Sequence, residues 1–244
     1  MGRNGRTQSR RGARRGVAPS PWRIEAIQTV DIPTFEDRTA AVRSASLEEV
    51  LAAFDRLPDG SWHTMRDLIR PVFHRRRPFP FPMDFVSLIV PPGVSIGFAA
   101  DVGPSFAHVH QEMLDDWGID LESLAEVAFD NLRAAIRDRG PGNLVREPID
   151  GVPTIAYQSG EGWASTVLLV PDLIEDVLGP GDRLFIAPMR DLLIDLPPGV
   201  DLEFASWLAS EFEALDPNSL CLEGFLYQDR ELSIVPLERG AVIG

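Results

Sequence analysis

The sequence predicts an α+β protein with an antiparallel sheet built from β-hairpins that alternate with helices. Three observations carry that expectation. Apolar runs of strand length come in pairs separated by short turn-forming segments, such as Ser159-Gly160-Glu161-Gly162 and Gln228-Asp229-Arg230. Segments of helical period separate those pairs, so a strand–strand–helix unit recurs in type without any repeat of sequence. Strands joined by tight turns pair antiparallel, which argues against a parallel nucleotide-binding sheet.

Three regions are expected along the chain. Residues 1–21 are rich in Gly, Arg and Ser and lack apolar periodicity, the composition of a disordered tail. Residues 22–82 read as a helical amino-terminal section with a proline-rich linker, and residues 83–240 as the α+β domain. In the amino-terminal section, "SLEEVLAAFDRL" (46–57) has Ser46 as N-cap, Glu49 completing a capping box, and apolar residues Leu47, Val50, Leu51, Phe54 and Leu57 at helical spacing. "WHTMRDLIRPVF" (62–73) reads as a second short helix stopped near Pro71, and "HRRRPFPFPMD" as the proline-broken linker.

Strands 85–90 and 94–100 follow, joined through Pro91-Pro92-Gly93. Residues 105–117 read as a moderately amphipathic helix ended by Gly118. Asp120 then caps the best-marked helix, in which Leu121, Leu124, Ala128, Leu132 and Ala135 recur at three and four. Arg137 and Arg139 suit its negative carboxyl end, and Gly140-Pro141 stops it. Strands 154–158 and 163–169 come next, with a short helix between Pro171 and Gly179. Strands 183–187 and 192–196 flank Pro188-Met189-Arg190-Asp191. A helix over "VDLEFASWLASEFEAL" places Leu202, Ala205, Leu208, Phe212 and Leu215 inward. The last strand pair is 220–227 and 231–236.

Composition bounds the function. The net charge of −14 hides a division, because residues 1–23 hold seven arginines and no acid, leaving −21 for the rest. So acidic a folded part disfavours nucleic acid as its partner. All 23 basic residues are arginine, so there is no lysine for a Schiff base or a phosphate loop. The single cysteine, Cys221, sits in an apolar run and reads as a buried inert thiol. No apolar run reaches membrane-span length, and the twin arginines near residue 10 precede no hydrophobic segment. A cytoplasmic protein without cofactor or membrane contact is expected.

Few residues suggest chemistry. His108 and His110 would share a face on a strand and could hold zinc, but diverge on the helix expected there, so no metal site is assigned. Asn131 lies about 20° from Leu124 on the helical wheel and so needs a hydrogen-bond partner on the apolar face. It either ties down a loop or faces a ligand. Ser165 lacks a nucleophile-elbow pattern. Arg190 and Asp191 form either an ordinary turn or a binding device at a hairpin end.

The segment "GFAADVGPSFAHVHQEMLDDWGIDLESLAEVAFDNLRA" resembles the signature region of the YtpQ-like family of uncharacterised bacterial proteins. The matching features are Asp101-Val102-Gly103, Met113-Leu114, Trp117 and Ala128-Phe129-Asp130-Asn131. "GEGWAS", "LFIAPMRDLLI" and "FLYQDREL" continue the resemblance over residues 70–237, with Glu161 where the family pattern has Asp. The resemblance implies an α+β fold and a soluble bacterial protein, and implies no activity. It singles out Asp101, Asn131, Glu161 and Asp191, with Arg190 beside them, as candidates to meet at one sheet edge. Two functions are open on these residues. One is a non-catalytic module that binds a protein or small molecule. The other is a cation-assisted hydrolase built on clustered carboxylates.

Overall fold

The computed structural model describes residues 60–74, 84–101, 106–140, 143–216, 219–220 and 222–238. The arginine-rich tail, the helix expected at 46–57, most of the proline-rich linker and Cys221 lie outside them. The fold is α+β with antiparallel sheets throughout.

A four-stranded sheet comes first. Its central strand is β3 (Val94–Asp101), paired on one side with β1 (Ile69–Phe73). On the other side it pairs successively with β2 (Ser87–Val90) and β4 (Phe106–His108). The segment expected to be one helix over 62–73 is therefore divided. Only Trp62–Met65 (α1) and a 3-10 turn at Arg66–Leu68 are helical. Ile69, Pro71, Val72 and Phe73 are all buried, and on a helix Pro71 would lie about 200° from Ile69, on the opposite side. Pro71 lacks the amide a helix needs, and the edge position of β1 tolerates that loss. This pairing also joins residues before the expected boundary at 82 to the sheet that follows it.

The helix expected at 105–117 is likewise shortened. Phe106–His108 pairs with Ala99–Asp101, and α2 begins only at Gln111, running to Trp117. Gly118, at φ +66°, closes it in the left-handed conformation. The long helix is as expected. In α3 (Leu121–Arg139), Asp120 accepts a bond from the Ser123 amide, and Leu124, Ala128, Leu132 and Ile136 form the buried stripe.

The larger sheet has six strands in the order β10-β9-β7-β8-β6-β5. It consists of three hairpins laid side by side: β5 (Asn143–Ile149) with β6 (Val152–Gln158), β7 (Arg183–Met189) with β8 (Leu192–Leu196), and β9 (Gly224–Gln228) with β10 (Glu231–Val235). Asp150-Gly151 and Asp229-Arg230, all at positive φ, make the two-residue turns of the outer hairpins.

One pairing corrects the sequence reading. The partner of β6 is β5, not residues 163–169, and Ala164–Leu169 is a 3-10 helix with every residue buried. An apolar run enclosed on all sides has no period to separate strand from helix. β5 escaped recognition because Arg146, Glu147 and Pro148 interrupt it, as suits an exposed edge strand. A short 3-10 turn (Pro171–Leu173) and α4 (Ile174–Leu178) lead to β7.

The layers follow from two cores. The larger lies between the four-stranded sheet, α3, Ala164–Leu178 and one face of the six-stranded sheet. The smaller joins the opposite face to α5 (Leu202–Leu215). In α5, Phe204, Ala205, Leu208, Ala209 and Phe212 are buried, whereas Leu202 and Leu215, expected inward, sit at its ends 43% and 40% exposed. Among the described residues no helix is long and apolar enough to cross a membrane.

Phe73 of β1 meets Phe225 of β9, ring centroids 6.1 Å apart, so one aromatic contact joins the two sheets. Replacing Phe225 with Ala is expected to lower stability by about 3–5 kcal/mol, seen as an earlier urea midpoint with unchanged slope.

Candidate functional site

Strand β8 carries a carboxylate at each end: Asp191 in the turn before it and Asp195 within it. The two have different surroundings.

Asp191 faces the loop between β6 and the 3-10 helix. Its Oδ1 accepts from the amides of Ser159 (3.0 Å) and Ala164 (3.3 Å) and from the Ser159 hydroxyl, while Oδ2 accepts from the Gly160 amide (3.0 Å). Ser159 Oγ in turn accepts from the amides of Glu161 (3.1 Å) and Trp163 (3.2 Å). Ser165 is buried and donates to the carbonyls of Met189 and Leu192, while its own amide donates to Arg190 O at 3.0 Å. A serine so held is part of the fold. Leu220 N donates to Pro188 O, beyond the reach of the β7–β9 pairing, so Pro188 sits where no ladder amide is needed.

Glycine is required in this loop. Gly160 (φ +77°) and Gly162 (φ +84°) adopt the left-handed region. A Cβ on Gly160 would come within 2.9 Å of the Arg139 guanidinium, and one on Gly162 within 2.8 Å of the Phe106 ring. Glu161 bridges outward, accepting from Trp163 Nε1 (2.9 Å) and Arg139 (3.4 Å). The Tyr157 hydroxyl below is buried without a hydrogen-bond partner among the described residues. Burial, then the Asp191 charge, pushes its ionisation upward.

Arg190 turns the other way. Its guanidinium lies 4.6 Å from the centre of the Phe106 ring and 3.3 Å from His108 Nε2. His108 and His110 are in extended backbone, not helix, and both rings pack on Phe85, at 4.4 and 5.0 Å. Burial, with the Arg190 charge next and His74 and His110 adding, lowers the His108 pKa to about 4. His74 joins this cluster, its Nδ1 3.3 Å from Ser95 Oγ, and Gly97 leaves room for its ring. Among the described residues no group of three or more His, Cys, Asp and Glu is placed to hold a metal ion.

The expected candidates thus separate. Asp191, Glu161 and Arg190 belong to one connected loop-and-turn system. Asn131 does not share it: its amide donates to the carbonyls of Arg66 (2.7 Å) and Ile69 (2.9 Å), tying α3 to the turn before β1. Asp101 ends β3, opposite Phe106 in the backbone ladder.

The sequence reading missed the other end of β8. There Asp195 is 4% exposed and pairs with Arg183, whose second terminal nitrogen donates to the carbonyls of Leu178, Gly179 and Pro180 at 2.7–3.1 Å. Asp195 and Arg183 line an open groove of about 560 Å³ together with Arg146, Ile155, Asp182 and the prolines Pro148, Pro153, Pro180 and Pro197. Burial raises the Asp195 pKa to about 6, while Arg183 and, more weakly, Arg146 oppose it. One signal was available: "LLIDL" sets an acid inside an otherwise apolar central strand. No protein-family model, curated protein or solved structure matches the chain.

Two predictions follow from these geometries. Asp191→Ala strips acceptors from three backbone amides, and it should cost about 3 kcal/mol or more and speed hydrogen exchange at residues 159, 160 and 164. Acid stability should show two opposed slopes. His108, depressed to about 4, contributes stability present above the ordinary histidine value and lost as pH falls toward 4. Asp195, raised to about 6, contributes stability present below the ordinary aspartate value and lost as pH rises toward 6. Each slope is at most about 1.4 kcal/mol per pH unit. Relative to the parent, His108→Gln should therefore lose progressively more stability as pH rises from 4 to 6.5. The relative stability of Asp195→Asn should instead improve over that rise. Urea titrations at stepped pH check both signs.

Proposed function

We propose that the chain is a cytoplasmic, non-catalytic binding module that takes a small molecule in the groove at the Asp195 end of the six-stranded sheet. The observation that supports this most is the contrast between the two ends of β8. At the Asp191 end the polar groups bond chiefly to the protein's own backbone. At the Asp195 end an open groove of about 560 Å³, within the range of ligand pockets, sets a few charged groups among proline and aliphatic surface. The order and spacing of the segments quoted above support grouping the chain with YtpQ-like proteins, a grouping that supplies no activity.

A cation-assisted hydrolase has less support. Asp191 already accepts from four donors and Glu161 from Arg139 and Trp163, so neither carboxylate is presented to a bound cation. A thermal-shift screen of metabolites, with amide chemical shifts mapped for each hit, tests the reading. A ligand at one hundred times its Kd should stabilise by about 2.7 kcal/mol and perturb residues 146, 155, 182 and 195. Divalent-ion stabilisation with turnover, mapped to Asp191 and Glu161, would favour the hydrolase instead.

A further inference from the structure

The groove carries more information than its size. Register fixes its floor: Arg146 on β5 is opposite Ile155 on β6, and Ile155 is opposite Asp195 on β8. Residues opposite one another across a sheet share a face. A cation and an anion therefore stand on one face with an apolar side chain between them, two strand spacings or about 9–10 Å apart at the backbone. Pro148 and Pro153 continue the apolar surface on one flank, and Pro180 and Pro197 also line the groove.

The two charges are unequally satisfied. Arg146 is exposed and makes no ion pair among the described residues. Asp195 is buried, and its partner Arg183 divides its donors between that carboxylate and three backbone carbonyls. One guanidinium so shared under-compensates a buried carboxylate, which is why burial outweighs it at Asp195. Of the remaining charged groups that line the groove, Asp182 is acidic and adds attraction for a cation, whereas Glu147, next to Arg146 on β5, belongs to the opposite face.

We propose that the groove binds a small zwitterion, an α-amino acid with an aliphatic side chain, its ammonium on Asp195, its carboxylate on Arg146 and its side chain over Ile155 and the prolines. This rests on the reading of the chain as a binding module and names the ligand class of that site. A neutral ligand would leave both charges as they are. An anion alone would meet Asp195 and Asp182 with only Arg146 unengaged.

Three probes separate the parts: leucine, leucinamide with the amine but no carboxylate, and N-acetylleucine with the carboxylate but no amine. Calorimetry and amide shifts on the full chain should show leucine perturbing Ile155 and Asp195. Leucinamide and N-acetylleucine should each bind roughly tenfold or more weakly. Arg146→Gln, an exposed change that leaves the buried pair intact, should reduce leucine to the affinity of leucinamide. Affinity should also fall about tenfold from pH 7 to pH 5 as Asp195 takes up a proton. N-acetylleucine binding as well as leucine, or an Arg146→Gln variant that binds leucine unchanged, overturns the proposal. If leucine gives no shifts while a screened compound of other chemistry maps to the groove, the ligand class is wrong and the binding-module reading stands. If no compound maps there, both fall.

Discussion

The Asp191 carboxylate organises the junction on which the rest of the packing depends. It gathers amides from both ends of the Ser159–Ala164 loop, and that loop could not otherwise turn back over the sheet with its polar backbone enclosed. The turn delivers Trp163 and the apolar 3-10 helix into the larger core. It also brings Gly162 against Phe106, which carries the four-stranded sheet's β4 up to the six-stranded sheet's loop. Ser165 closes the same junction from the other side by bonding the strands on either side of the Arg190-Asp191 turn. The Arg190-Asp191 turn is thus a structural keystone, its two side chains facing different halves of the molecule.

What the sequence made legible follows from how each element is solvated. Elements with one wet and one dry face, such as α3, carry their period openly, and the α3 cap and stripe were readable residue by residue. Elements wholly enclosed lose that signal, and Ala164–Leu169 is the case in point. Edge strands fail for the opposite reason: β5 tolerates Arg146, Glu147 and Pro148 because one edge needs no partner, so it reads as loop. At the candidate site, the demand that Asn131 find a partner was legible, whereas its partners, the carbonyls of Arg66 and Ile69, depend on a helix–strand boundary that local pattern placed elsewhere. His108 was missed as a neighbour of Arg190 because 82 residues separate them.

Asp191 and Asp195 show how little residue type decides by itself. They lie four residues apart, yet one meets a ring of backbone amides and the other a single guanidinium in a groove wall. Amides fixed by covalent geometry and packing make an acceptor's surroundings rigid. A guanidinium on a flexible stem also has to serve the carboxyl end of α4, so Asp195 and that helix end draw on the same donor. The floor of the groove and the position of α4 are therefore coupled through Arg183.

The side-by-side arrangement of the three hairpins has a kinetic meaning. Each hairpin closes over a short loop, so its own pairing costs little chain entropy. The β7–β8 hairpin supplies both inner strands at the centre, and each outer hairpin docks against only one of its edges. Assembly can thus proceed outward in two independent directions from one local nucleus, and the amino-terminal side need not wait for the carboxyl-terminal one. The Arg183–Asp195 pair sits within that nucleus, so the groove's floor is complete as soon as the β5–β6 hairpin docks.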